Sequence, residues 1–101
     1  MKQVILKYGL NPPAFNQEFK VAMREGAEPF AVQVQERDPA FAQVWATCSA
    51  TEAPVVFYKF FVANTGTPFE KPEKATYLGT VQRGDVVGHV FYALPDSDSL
   101  G

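Results

Sequence analysis

The chain is poor in the residues from which most catalytic and metal sites are built. It has one cysteine, Cys48, and one histidine, His89, in 101 residues. A lone cysteine excludes a disulfide within the chain and a thiolate metal cage. A lone histidine leaves no imidazole cluster to hold a metal. No segment approaches the ~20 apolar residues that cross a bilayer as a helix. The first residues alternate in polarity and lack the unbroken apolar stretch of a signal peptide. Excess charge of one sign is missing too: nine Lys and Arg stand against eleven Asp and Glu, a formal net charge of −2. A protein that neutralises phosphates normally shows a basic stripe, whereas here Lys71 and Lys74 alternate with Glu70 and Glu73. Thr65-Gly66-Thr67 has neither the spacing nor the lysine of a P-loop. No metal, no cofactor, no nucleic acid and no membrane is therefore expected, and a soluble intracellular protein is the simplest account.

Apolar and aromatic side chains are what the sequence has in quantity. They make up 47% and 14% of it, with nine Phe against four Tyr and one Trp. About a hundred residues suffice for one domain, and the area scaling for this mass has folding bury roughly 65% of the extended chain's surface.

The apolar residues recur with the period of strands. Lys2–Tyr8 places Val4, Leu6 and Tyr8 on one face, and Asn11-Pro12-Pro13 ends that run. Glu18–Arg24 alternates Phe19, Val21 and Met23 with Lys20 and Arg24; a short helix competes there, since Ala, Met, Glu and Lys favour helix. Glu25–Pro29 reads as a turn and Phe30–Gln35 as the cleanest alternating strand. Glu36–Pro39 turns again, Ala40–Cys48 returns, and Cys48 reads as a small buried hydrophobe. Val55–Ala63 is apolar on both faces, so it is expected to be a central strand covered from both sides or to have one face in an interface. Asn64–Lys74 is the longest irregular stretch. Ala75–Leu94 reads as a tight hairpin turning at Arg83-Gly84-Asp85. The expected fold is all-β, a small antiparallel β-sandwich or barrel of about seven short strands. Residues 1–95 are expected to form its single domain and residues 96–101 a flexible tail.

The candidates for chemistry are few. His89 shares a strand face with Val87 and Phe91 and reads as structural before it reads as a general base. The pairs Asp96/Asp98 and Glu70/Glu73 lie in a tail and a loop, where nothing holds carboxylates close enough to perturb each other. No enzyme is expected. Binding is better supported. Gln33 and Gln35 project from one strand face and offer a fixed array of amide donors and acceptors. Trp45 and Tyr58, with Phe60 and Phe61, are of the kind enriched among interface anchors, with core packing the default for such rings. The Asn64–Lys74 loop is where function is expected by position. Its Asn64, Thr65, Gly66 and Thr67 suit an anion, or simply make the turn.

Three segments, in order, carry a resemblance. They are Met1-Lys2 through Lys7-Tyr8, then Val32-Gln33-Val34-Gln35, then Tyr77-Leu78-Gly79-Thr80-Val81-Gln82 with His89-Val90-Phe91. Together they resemble a family of small bacteriophage-encoded proteins known only as a domain of unknown function, over nearly the whole chain to Leu94. Where that family often carries GTGHP, this chain has Asn64-Thr65-Gly66-Thr67-Pro68, so no role needing imidazole at position 67 carries over. The resemblance implies a phage or prophage origin and brings no activity with it. The expected function is that of a non-enzymatic accessory protein in the host cytoplasm. It would bind and block a host protein, such as one of host defence, or sequester a small molecule. The alternative is a homo-oligomer serving as a minor virion or assembly component.

Overall fold

The computed structural model describes residues 2–95; the tail expected at 96–101, with Asp96 and Asp98, lies outside them. Among the described residues there is no helix, and seven antiparallel strands form two sheets. The strands are β1 (Gln3–Leu10), β2 (Glu18–Arg24), β3 (Glu28–Gln33), β4 (Ala42–Ser49), β5 (Val55–Asn64), β6 (Thr76–Arg83) and β7 (Val86–Ala93). Sheet A has the order β1-β4-β3 and sheet B the order β2-β5-β7-β6. The all-β sandwich expected from the alternation is what forms, and β2 is a strand rather than a helix.

The core lies between the sheets and follows the two-residue period. Sheet A contributes Val44, Ala46 and Cys48 from β4; sheet B contributes Met23, Tyr58, Phe60, Val62 and Val90. Cys48 is buried against this core, its Sγ 3.9 Å from Tyr8 Oη. Consecutive β2 and β3 belong to different sheets, so the turn between them carries the chain across the core. It is closed by Ala27 N–H donating to Arg24 O at 3.0 Å.

Several strand ends differ from the sequence expectation, and three of them have a clear local reason. β3 begins at Glu28 and takes in Pro29, which was expected in the turn. Proline cannot donate to a ladder, and the register slips between Pro29 and Ala31, leaving Phe30 bulged into solvent. At its other end β3 stops at Gln33, because Gln35 N–H donates to the Gln43 side-chain oxygen at 2.9 Å instead of to a backbone carbonyl. β4 starts at Ala42 and not Ala40, whose N–H is taken by Asp38 Oδ1 at 2.9 Å.

The β6–β7 hairpin closes through Gly84-Asp85, between the paired Arg83 and Val86. Gly84 has φ 61° at the first turn position, as a type II′ turn requires. One side of the sandwich is shut where β3 packs on β6: a Cβ on Gly79 would come within 2.9 Å of Val32 Cγ1. The Arg83 guanidinium reinforces that side by donating to the carbonyls of Ala40 at 3.0 Å and Asp38 at 2.9 Å.

Gly88 is a second close approach, where a Cβ would lie 2.7 Å from Val62 Cγ1 and 3.2 Å from Phe41 Cζ. Both neighbours are stiff and packed, so Gly88→Ala is expected to cost about 1–3 kcal/mol, read as a lower denaturation midpoint at unchanged m-value.

Tyr58, a candidate interface anchor in the sequence with core packing as its default reading, is core. It is 1% exposed, and its hydroxyl donates to Ala27 O at 2.5 Å. Its position on β5 alternates with Phe57 and Lys59, which point outward, and that parity decides its burial. Burial disfavours the phenolate and pushes the Tyr58 pKa from 10.0 up to about 12. Between those values the unfolded chain gives up the phenol proton and the folded chain keeps it, so stability present below pH 10.0 is lost as pH rises towards 12. Tyr58→Phe is expected to flatten this alkaline loss, measured as melting temperature against pH. At neutral pH it should be less stable by about 1–3 kcal/mol, because Ala27 O loses its partner.

Candidate binding face

The sequence candidates divide between the two outer faces of the sandwich. Gln33, Gln35 and Trp45 lie on the side of sheet A, and Lys7 links the last two. Its Nζ donates to Gln35 Oε1 at 2.9 Å, sits 3.7 Å from Asp38 Oδ2 and lies 5.8 Å from the centre of the Trp45 ring. Gln33 is exposed, while Gln35 stands just past the end of β3 and is half-buried. The two amides therefore do not form the regular array expected of one strand. Gln35 is committed to Lys7 through its side chain and to Gln43 through its backbone.

The outer face of sheet B gathers more. Because Val62 and Val90 point inward, Phe61, Ala63, His89 and Phe91 point outward. The ladder sets Phe61, Phe91 and Tyr77 in one row across three strands, and Ala63, His89 and Thr80 in the next. The loop after β5 folds back over these rows. Phe69 lies 5.5 Å from the Phe61 ring and 5.8 Å from the Phe91 ring, centre to centre, and Tyr77 makes an edge contact with Phe91 at 5.5 Å. Tilted and edge-on contacts of this kind are the favoured geometries for ring pairs.

Beside the aromatic row runs a chain of polar side chains. His89 Nε2 is 2.8 Å from Thr65 Oγ1, His89 Nδ1 is 2.9 Å from Thr80 Oγ1, and Thr80 Oγ1 is hydrogen-bonded to the Tyr77 hydroxyl. Whichever ring nitrogen carries the proton donates to one threonine hydroxyl, and the other nitrogen accepts from the second. The imidazole is thus fixed from both ends, with Thr65 and Tyr77 as the chain's outer terminals. Among the described residues no carboxylate hydrogen-bonds the ring, so the anionic partner that stabilises an imidazolium in hydrolase triads has no counterpart here. The arrangement offers a rigid, two-ended set of hydrogen-bonding groups next to a hydrophobic platform.

The loop candidates separate accordingly. Thr65 joins His89 directly. Gly66, at φ 88°, supplies the turn, and Thr67 is exposed beside it. Asn64 has the inward parity of β5 and is tied to Asn16, whose Nδ2 donates to Asn64 Oδ1 at 2.8 Å. Phe69, Tyr77, Thr80 and Phe91 were not among the sequence candidates. Thr80 was within reach of counting, since a two-residue turn at Gly84-Asp85 puts it opposite His89. Tyr77 was not: the register slip between Tyr77 and Gly79 moves it from opposite Tyr92, on the core side, to opposite Phe91, on the outer face.

The loop is held on the sheet by Thr65–His89 at one point and by Phe69 at another. His89→Ala is expected to leave the fold intact and to speed amide exchange over residues 65–69 by about fivefold, the worth of roughly one net hydrogen bond, in hydrogen–deuterium exchange.

A family model described as a domain of unknown function (DUF7352) matches residues 1–100 of the chain. No curated protein and no solved structure matches it.

Proposed function

This chain belongs to the DUF7352 family of unknown function, and we propose that it is a bacteriophage accessory protein that acts by binding and blocking a protein of the host cell. The observation that carries this is the outer face of sheet B, where exposed aromatic side chains flank a pre-ordered hydroxyl–imidazole chain. Tyr77 is 53% and Phe69 42% exposed, large values for rings that already pack on neighbours. Aromatic anchors beside fixed polar groups are the usual make-up of an interface centre. A macromolecular partner suits this face better than a small molecule. The cavity under the loop, lined by Phe61, Pro72 and Phe91, measures about 10 Å³, too little for more than a water. Binding to a flat aromatic face acts by occupancy and calls for no reacting group.

The test is native mass spectrometry of the tagged protein recovered from infected cells. The wild type should carry a host protein in fixed stoichiometry, and Phe69→Ala and Tyr77→Ala should each release it while keeping the wild-type circular dichroism. Recovery of the same complex with both variants would move the interface elsewhere, and recovery of a small molecule instead would replace a blocker with a sequestering protein.

A further inference from the structure

The two sides of the sandwich are finished differently. On the closed side, β3 carries Pro29 and a register slip, and β6 carries a register slip at Leu78. Such features stop an edge strand from pairing with another chain. On the other side β1 and β2 run in unbroken register with their single neighbours and contain no proline. Open grooves of about 670 and 290 Å³ run along that side; Tyr8 and Ala22 line both.

Two hydrogen bonds establish which backbone groups of β2 face outward. Glu25 N–H donates inward to Pro54 O at 2.8 Å, just past the Arg24–Val55 pair, whereas Arg24 N–H donates away from β5 to Tyr8 Oη at 3.1 Å. By alternation, Glu18, Lys20, Ala22 and Arg24 turn their peptide groups to the open edge.

We propose that β2 is a homodimer interface, pairing antiparallel with β2 of a second copy about Val21 and joining two four-stranded sheets into one. Charge selects both the occupant and the register. A ladder centred on Lys20 sets that lysine against itself, and one centred on Ala22 sets Lys20 against Arg24. Centred on Val21, the ladder sets Glu18 opposite Arg24 twice and Lys20 opposite Ala22, with no like charges facing. Lys20 and Ala22 of the two copies then close about four backbone hydrogen bonds, and Arg24 N–H stays with Tyr8. On the inner face Val21 meets Val21, and the partly buried Phe19 falls opposite Met23, which the single chain already buries, so the two apolar cores adjoin at the join. On the outer face the Lys20 stem of the second copy lies against Ala22 and its neighbour Phe57, 60% exposed in the single chain. β1 offers no such code, since its one charged residue is Lys7.

Sedimentation equilibrium of the full chain over a range of concentrations and salt tests this. A monomer–dimer equilibrium weakened by salt is expected. Ala22→Pro removes an N–H that the single chain does not use in its ladder and should leave a folded monomer, checked by circular dichroism. Glu18→Lys should raise the dimer dissociation constant about tenfold, by placing two like-charge pairs in the ladder; adding Arg24→Glu should restore it, with a lower melting temperature because Arg24 Nη1 also donates to Ser49 O at 3.0 Å. Should Ala22→Pro fail to fold, the charge-swap pair decides by itself. A monomer at every concentration, or a dimer indifferent to Glu18→Lys, overturns the proposal. The host-protein reading rests on the far rows of sheet B and its Phe69 and Tyr77 variants, so the two fail separately.

Discussion

Strand β5 is the constraint on which the remainder depends. It is paired on both edges, by β2 and β7, and it is apolar on both faces. Its inner face, Tyr58, Phe60 and Val62, is buried by sheet A. Among the described residues its outer face has no second layer of secondary structure to bury it, so the chain that leaves β5 has to turn back and do so. It does this over Phe61, 6% exposed, through Phe69. It does not extend to Val55 and Phe57 at the other end, which remain bare. Burying apolar area at roughly 25 cal/mol per Å² gives the loop its reason to fold back. The Thr65–His89 hydrogen bond gives it one place to do so.

From that loop position follows the character of the candidate face. A loop that packed fully would leave a smooth, finished surface. Phe69 lies at the boundary instead, packing on Phe61 and Phe91 while 42% of its own surface stays open to a partner. The polar chain beside it is already ordered by its own hydrogen bonds, so a partner engaging it would not have to pay again for fixing those side chains. The opposite outer face is built otherwise. There Lys7 already satisfies Gln35 and lies over Trp45, so the groups that looked available in isolation largely serve one another.

The two open sites lie on one sheet but at different ends of its design. The aromatic and hydroxyl rows occupy β5, β7 and β6, where rows run across strands. The unpaired edge belongs to β2, where backbone groups run along the strand. One site offers side chains in a plane, the other a ladder with a charge code, so occupancy of one does not sterically require or forbid the other.

The sequence by itself determined the strands: seven short runs, most of them alternating, the approximate turns between them and the final hairpin turning about Gly84. All of these are local, because the two-residue period and the demands of a tight turn act over a few residues. It could not decide sheet membership, since β1 pairs with β4 and β2 with β5 across long separations that no local pattern encodes. Nor could it tell which face of a doubly apolar strand lies inside, so Tyr58 and Trp45 looked alike until the sheets packed and buried only Tyr58. The bulge at Leu78 completes the contrast. One extra residue in β6 reverses the parity of Tyr77 and brings it to the outer face. Only β6 packed against β7 on one side and β3 on the other determines where that residue is absorbed.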